Sequence, residues 1–374
     1  MPEDTIIAQQ TPTIQQPAST ADSYSPQKNK SKIFLPIFMI LILLGIGGYL
    51  AYFQTTKPIA KNTTAEAKFC QGIKIVFFPG GSQANDSFAA TVYNGAKAAE
   101  TTLGANVQYV WSGWDSNKMV EQFQDAMSTS PDAIALMGHP GVDALSSLVD
   151  EAERKGIIVT MQNVDLPTIR GKYTNNGFGY VGQDLHASGL LVSNGAIRKY
   201  QPKAGDEAIV FGNVKTDPTR YERTQGLIDG LTADKLVVHE VTIPIPVLND
   251  AKSAVAQKLI SDAISQYPKA KIILIDSGNL TGGSAFDLKT LGKKPGDYIV
   301  AGFDLSPDTV DGIKSGYIGL IEDQQPYLQG FLPVLQACLT KKYGFAGLYV
   351  DTGIGLIDSS NVDLVAGLAK QGVR

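Results

Sequence analysis

This sequence predicts an α/β fold of two doubly wound parallel-sheet lobes preceded by one transmembrane helix, and three observations predict it. An uncharged apolar run occupies Ile33 to Phe53. From Gly72 onward, short β-rich runs alternate with stretches of helical spacing. That alternation pauses over a stretch expected to be irregular, Leu166 to Phe178, and then restarts, giving two successive βα blocks of similar size. Alternation of this kind reads as right-handed βαβ units on parallel sheets. No short-period repeat is present, which excludes a solenoid.

Residues 1–32 are rich in Gln, Thr, Ser and Pro and carry no apolar periodicity. Such a segment buries too little surface to offset its ordering entropy, so it is expected to be a disordered cytoplasmic tail. The run at 33–53 is about as long as a bilayer-spanning helix requires. It exceeds the roughly 7–15 apolar residues of a cleaved signal peptide. Lys28, Lys30 and Lys32 crowd its amino end, whereas Lys57 and Lys61 lie further from the other. The positive-inside bias therefore puts the N-terminus in the cytoplasm and the chain from Gln54 outside, in the periplasm or on the cell surface. Cys70 follows Ala67-Lys68-Phe69 well beyond the apolar run and does not resemble a lipid-modified cysteine. The helix itself is then the anchor, with 54–71 as an extracytoplasmic linker.

In the first block, strands are expected at Ile73–Phe78, Val107–Trp111, Ala133–Met137 and Ile157–Met161. Helices are expected at Phe88–Leu103, after the cap Asp115-Ser116 (with Met119, Val120, Phe123 and Met127 as its stripe), and at Val142–Lys155. In the second block, strands fall at Ala208–Phe211, Leu236–Val241, Lys271–Ile275 and Tyr298–Phe303. Helices fall at Leu185–Tyr200, Arg220–Leu231, Asp250–Tyr267 and Gly282–Leu291. Ser306-Pro307 caps a further helix, Tyr317–Glu322 forms a strand, and Pro326 opens the last long helix. Ligands of open parallel sheets sit outside the carboxyl ends of the strands. Here two consecutive strands deliver Asp304 and Gln324 to such ends.

Composition narrows the chemistry. The chain is 43% hydrophobic and 18% charged with a net charge of −4, so there is no electrostatic case for nucleic acid. Cys70 and Cys338 either join in one bridge or stay free. His139, His186 and His239 lack ligand-like spacing, so no metal site is expected. Gly80-Gly81-Ser82 lacks both the dinucleotide spacing and a Lys-Ser/Thr ending, which argues against a nucleotide enzyme. No Ser/His/Asp arrangement or carboxylate pair at catalytic spacing is evident, so neither catalysis nor a cofactor is expected.

Several motifs occur in order. They are Asn85-Asp-Ser-Phe88 with Asn94-Gly95-Ala96, Gly138-His-Pro-Gly141, Asn163-Val-Asp165, Tyr180-Val-Gly-Gln-Asp184, Arg223-Thr-Gln-Gly226, Gly302-Phe-Asp304 and Asp323-Gln-Gln-Pro-Tyr-Leu-Gln-Gly330. Through them the chain, from about Lys74 to the C-terminus, resembles the type 1 periplasmic-binding-protein family, in particular the ribose- and galactose-type receptors of ABC importers. The resemblance implies two Rossmann-like lobes joined by a three-segment hinge with crossings near Gly182, near Gln324 and near 352–356. The N-terminal lobe would be 72–182 plus about 324–353, and the C-terminal lobe 183–323 plus about 354–374. A helix-turn-helix, which the regulators of this fold carry at the N-terminus, is replaced by the apolar run.

A neutral sugar offers a rim of hydroxyls and weakly apolar faces, so its site needs planar polar groups and aromatic rings. Asn85, Asn163, Asp165, Arg223, Asp304 and Gln324 meet the first demand. Phe88 stands where the family places a sugar-facing ring, and Ala89 replaces a second aromatic, so further stacking must come from Trp111 or Trp114. His139 either donates to ligand or caps its loop. Asn279 shares its candidacy with Asp276. Val164 stands where the ribose receptors have Arg, which argues against ribose itself. Arg223 is expected to pair with Asp165 or Asp304 across the cleft, and Gln183 and Asp184 to fix the hinge. The function implied is that of a monomeric, membrane-anchored binder of a monosaccharide or small polyol that serves an ABC permease. A ligand-sensing subunit reporting to a membrane receptor or sensor kinase is the alternative.

Overall fold

The computed structural model describes residues 67–374 apart from Asn85 and 214–217. The expected tail, the apolar run at 33–53, most of the linker and the candidate Asn85 lie outside these residues. No helix among the described residues is long and apolar enough to cross a membrane.

The first block runs β1 (Lys74–Gly80), α1 (Ser87–Leu103), β2 (Asn106–Trp111), α2 (Ser116–Ser128), β3 (Ala133–Met137), α3 (Gly141–Arg154), β4 (Ile158–Asn163), α4 (Pro167–Tyr173) and β5 (Tyr180–Gly182). The second runs α5 (Leu185–Tyr200), β6 (Glu207–Gly212), α6 (Pro218–Ala233), β7 (Val237–Thr242), α7 (Ile245–Asn249), α8 (Ala254–Gln266), β8 (Ile272–Ile275), α9 (Gly278–Thr290), β9 (Ile299–Phe303), α10 (Pro307–Lys314) and β10 (Leu320–Asp323). Then come α11 (Pro326–Tyr343), β11 (Tyr349–Asp351), β12 (Gly355–Asp358) and α12 (Val362–Lys370).

Side-chain caps set many of these boundaries. Asp86, Asp115, Asp184, Ser253, Ser277 and Ser306 each accept a hydrogen bond from a backbone N–H in the first turn of the helix that follows. Three expectations are corrected. The stretch 166–178 is not wholly irregular, because Pro167 starts the short helix α4. The helix expected from Asp250 starts later, at Ala254, because Ser253 takes the cap, and α7 precedes it where none was expected. The strand expected from Tyr317 begins only at Leu320.

Two six-stranded sheets result, in the orders β11-β5-β4-β3-β1-β2 and β12-β10-β9-β8-β6-β7. All pairings are parallel except that of β12 with β10. Ignoring β11 and β12, the two sheets have the same order, and each reverses direction beside its first strand, β1 or β6. Strands buried on both faces read as continuous apolar runs, as in Ala133–Met137 and Ile272–Ile275. The chain leaves the first sheet after β5, returns after β10, and crosses again between β11 and β12.

Although late in sequence, α11 packs on α1 and on the first sheet. Gly95 and Gly330 permit that approach, since a Cβ on either would lie 2.0 or 1.9 Å from a backbone carbonyl oxygen of the facing helix. Cys338, on α11, is joined to Cys70 just before β1 with their Cα atoms 5.6 Å apart. This settles the open cysteine question in favour of a bridge.

The three crossings are tied side by side through polar side chains. Tyr180 donates from its hydroxyl to the carbonyls of Asn163 and Gln183, at 3.0 and 2.8 Å. Gln325 Nε2 donates to the Thr352 carbonyl at 2.9 Å, and Gln329 Nε2 donates to the Gln324 carbonyl at 3.0 Å and to Thr352 Oγ1 at 3.1 Å. Glu322, on β10, is fully buried and accepts from Ser188 Oγ of α5. Burial pushes its carboxyl up to about 8, against the hydrogen bond from Ser188.

Two predictions follow from these features. Reduction of the bridge, or Cys338→Ser, removes a constraint on the unfolded chain and should lower stability by about 2–5 kcal/mol, read as a fall in denaturation midpoint. Glu322 holds its proton more tightly when folded, so its contribution to stability falls as pH rises from its ordinary value of 4.5 towards 8. The melting temperature of Glu322→Gln should therefore decline less between pH 5 and pH 8 than that of the unsubstituted protein.

Candidate ligand-binding cleft

A cleft of about 990 Å³ is lined by residues at or just beyond the carboxyl ends of strands from both sheets. They include Asp86 and Phe88 after β1 and Asn213 after β6, the points where the strand order reverses and where open α/β sheets bind ligands.

From the first sheet come Asp86, Phe88, Trp114, His139 and Asn163. Asp86 does two jobs besides facing the cleft. Its Oδ1 caps α1 by accepting from the Ala89 N–H at 3.0 Å, and its Oδ2 accepts from Trp114 Nε1. Burial raises its carboxyl to about 6, against those hydrogen bonds and with help from the charge of Asp304. Trp114 sits at φ 63°, an unusual conformation for a large side chain. Its indole lies over Gly80, where a Cβ would come within 2.5 Å of the ring. It also packs beside Phe88 and His139, with centroids 6.0 and 5.0 Å away. Of the two tryptophans considered for stacking, Trp114 is the one on the cleft wall; Trp111 packs on Tyr93. His139 is buried, and burial together with the nearby Arg220 and Arg223 lowers it to about 3, so its imidazole is neutral. Its Nδ1 has no hydrogen-bond partner among the described residues.

The second sheet contributes a buried charge network. Arg223, on the second turn of α6, is 2% exposed. It donates from Nε to Asp276 Oδ1 and from Nη2 to the Asp276 carbonyl, and it lies 4.0 Å from the centroid of Phe303. Arg220 Nη2 is 3.3 Å from the same carboxylate, which also accepts from Asn213 Nδ2 at 2.8 Å and from Thr224 Oγ1. Burial alone would raise Asp276, but Arg220 and Arg223 outweigh it and hold the carboxyl below its ordinary range. The expected partner of Arg223 is thus corrected: it is Asp276, neither Asp165 nor Asp304. The buried guanidinium keeps one nitrogen, Nη1, without a partner among the described residues.

Asn163 and Asp304 end β4 and β9, the equivalent strands of the two sheets. Both take left-handed backbone conformations, at φ 66° and 71°, which Asn and Asp tolerate better than most residues. Asp304 accepts from Gln324 Nε2, and Gln324 Oε1 accepts from Asn163 Nδ2 at 3.2 Å. Burial raises the Asp304 carboxyl, outweighing the nearby Arg223.

Every described candidate except Asp165 lines the cleft. Asp165 is instead held by both Nε and Nη2 of Arg170, from 2.9 to 3.1 Å. The helix that supplies Arg170 lies in the stretch expected to be irregular, so this partner was not foreseen. Asn279 reaches the wall but spends its Nδ2 on the Leu248 carbonyl at 2.8 Å. Asp86, Asn213 and Arg220 were missed as site residues. Arg220 had a readable signal, since it lies three residues before Arg223 and so on the same helix face. Asn213 had none.

This is a set of fixed donors and acceptors beside aromatic rings. The carboxylates are engaged by neighbouring side chains, and among the described residues no group of three or more His, Cys, Asp or Glu side chains is placed to hold a metal ion.

Residues 75–340 match the family model of the periplasmic binding protein domain. The xylose/arabinose-binding protein of Sulfolobus acidocaldarius is 30% identical over 295 residues, covering 74% of this chain and 69% of that protein. Among solved structures, a carbohydrate transporter from Acidothermus cellulolyticus in complex with myo-inositol aligns with a TM-score of 0.68 at 22% identity, over 81% of this chain and 99% of its own. A solute-binding protein of an ABC transporter from Burkholderia graminis, in complex with D-arabinose, aligns at 0.67 and 24%, over 78% and 97%. The two structures share the fold, and the domain match and the curated relative go further: this chain belongs to the type 1 periplasmic-binding-protein family, a family of binding proteins rather than of enzymes.

Proposed function

We propose that this protein is a membrane-anchored, extracytoplasmic solute-binding protein that captures a monosaccharide or small polyol in the cleft and delivers it to the permease of an ABC importer. The observation that carries this reading is the polar floor. Arg223, His139 and Asp304 line one cleft, Arg223 Nη1 and His139 Nδ1 are buried without a partner among the described residues, and a molecule with several hydroxyls offers both donors and acceptors to such a set. Leaving such buried groups unpaired is unfavourable, which gives selectivity for a ligand that completes them. The xylose/arabinose relative and the inositol and arabinose complexes support a polyhydroxylated ligand. The lobes would be 72–182 with about 324–353, and 183–323 with about 354–374, closing on ligand because it has higher affinity for the closed state. The uncharged run at 33–53, with its lysines on the amino side, supports a single-pass anchor with the N-terminus in the cytoplasm.

Two measurements test this. In a thermal-shift panel of pentoses, hexoses and polyols, a true ligand at a hundred times its dissociation constant should stabilise the protein by about 2.7 kcal/mol. Asp304→Ala should weaken that binding by about 2–5 kcal/mol, and a flat panel would remove the sugar reading. In cell fractionation, the full chain should sediment with membranes and resist carbonate extraction, whereas a chain starting at residue 67 should be released. Release of both would exclude the anchor.

A further inference from the structure

We propose that the aromatic patch formed by Phe69, Tyr343 and Phe345 is a docking surface for the lipid bilayer that carries the chain. This rests on the reading that residues 33–53 anchor the protein in a membrane.

The first support is where exposed apolar side chains gather. Among the described residues, four of the eleven large apolar side chains that stand exposed fall within 343–349: Tyr343, Phe345, Leu348 and Tyr349. Tyr343 and Phe345 are 64% and 52% exposed. Their rings meet edge to face with centroids 5.9 Å apart, and the Tyr343 ring lies 5.9 Å from that of Phe69. The three rings thus make one continuous patch, unlike the single exposed apolar residues that any surface carries.

The second support is that this surface is built. Phe69 and Tyr343 belong to segments that the bridge between Cys70 and Cys338 joins covalently. The turn after α11 is pinned by Gln336 and Thr340, two buried side chains of that helix. Gln336 Nε2 donates to the Ala346 carbonyl at 3.3 Å, and its Oε1 accepts from the Leu348 N–H at 3.0 Å. Thr340 Oγ1 donates to the Phe345 carbonyl at 2.9 Å, and the Gly347 N–H donates to the Thr174 carbonyl at 2.7 Å. The backbone of the turn is satisfied from within while its large apolar side chains stay outside, so their positions are fixed.

Chemistry and chain length name the occupant. Lys341 and Lys342 close the last turn of α11, and Lys342 Nζ lies 5.1 Å from the centroid of the Phe69 ring. Aromatic rings mixed with lysines suit a bilayer interface, where the rings enter the headgroup layer and ammonium groups meet phosphates. Residues 54–66 connect the apolar run to this surface and span at most about 45 Å when fully extended. Phe69 follows that connection almost at once, so the patch meets the bilayer at a high effective concentration. The connection itself carries one large apolar side chain, Ile59, which is too little to cover three rings.

The placement has a consequence for capture. Helix α11 starts beside Gln324 of the cleft, and its 18 residues carry the chain about 27 Å to Tyr343. The patch therefore lies at the end of the first sheet opposite the cleft. Docking leaves the cleft turned outward to collect solute, and delivery requires release, which a contact of a few rings permits.

The experiment reconstitutes the full chain in liposomes of phosphatidylcholine and phosphatidylglycerol. Their acyl chains carry bromine close to the headgroups, where it quenches tryptophan at short range. Tyr343→Trp and Phe345→Trp are compared with Phe286→Trp, an exposed position on α9. The signal of Trp111 and Trp114, measured on the unsubstituted protein, is subtracted. Against unbrominated liposomes, tryptophan at 343 and 345 should lose much of its fluorescence, and at 286 none. No loss at either 343 or 345, in a chain that still floats with the liposomes, overturns the docking and leaves the anchor standing. Equal loss at all three positions overturns it as well, since the contact is then not confined to the patch. Shielding from aqueous acrylamide without bromine quenching, growing with the protein-to-lipid ratio, assigns the patch to a second copy and excludes lipid. A full chain that fails to float with the liposomes removes anchor and docking together.

Discussion

The Arg223 guanidinium, almost completely buried at the start of α6, constrains much of what surrounds it. A buried charge is tolerated only when paired and hydrogen-bonded, and Asp276, at the end of β8, supplies the pairing through both its carboxylate and its carbonyl. That engagement fixes the spacing between α6 and the loop that opens α9, adjacent elements of the second sheet. It also uses up Asp276, whereas the Asp304 carboxylate, which lines the same cleft, is held by Gln324 instead. Phe303, immediately before Asp304, covers the guanidinium face. The positive charge on α6, the carboxylate just after β8 and the ring at the end of β9 therefore constrain one another's positions.

A second dependency runs through the crossings. Gln324 contacts Asp304 on one side and Asn163 on the other, while Gln329 on α11 reaches both Gln324 and Thr352. The cleft floor and the crossing segments thus share side chains. Residues that line the cleft there also hold the crossings together.

Much of the fold was legible because the strands are buried on both faces. Ala133–Met137 and Ile272–Ile275 stand out as unbroken apolar runs, and the caps Asp115 and Ser306 mark their helices by type and position. What periodicity could not carry was anything short or decided by distant contacts. The helix α4 is only a few residues long, and its Pro167 start resembles a turn. The placement of α11 on the first sheet depends on Gly95 and Gly330 meeting face to face, a contact between parts of the chain far apart in sequence. The site was legible where a polar residue ends an apolar strand, as at Asn163, Asp304 and Gln324. It failed at Asp165, whose partner Arg170 neutralises it locally, and at Asp86, which looks like an ordinary helix cap because it is one. The partner of Arg223 was misjudged for a similar reason: the choice lay among carboxylates, and only the fold shows that Asp276 is nearest.

The bridge between Cys70 and Cys338 has a mechanical consequence. Any tension arriving through the N-terminal segment meets a covalent branch point just before β1. Part of that load passes directly into α11, which is packed along α1 and the sheet, instead of falling on the hydrogen bonds that hold β1 between β2 and β3. An inner strand, one place from the sheet edge, is thereby shielded from being unzipped from its end. The second sheet carries no such staple.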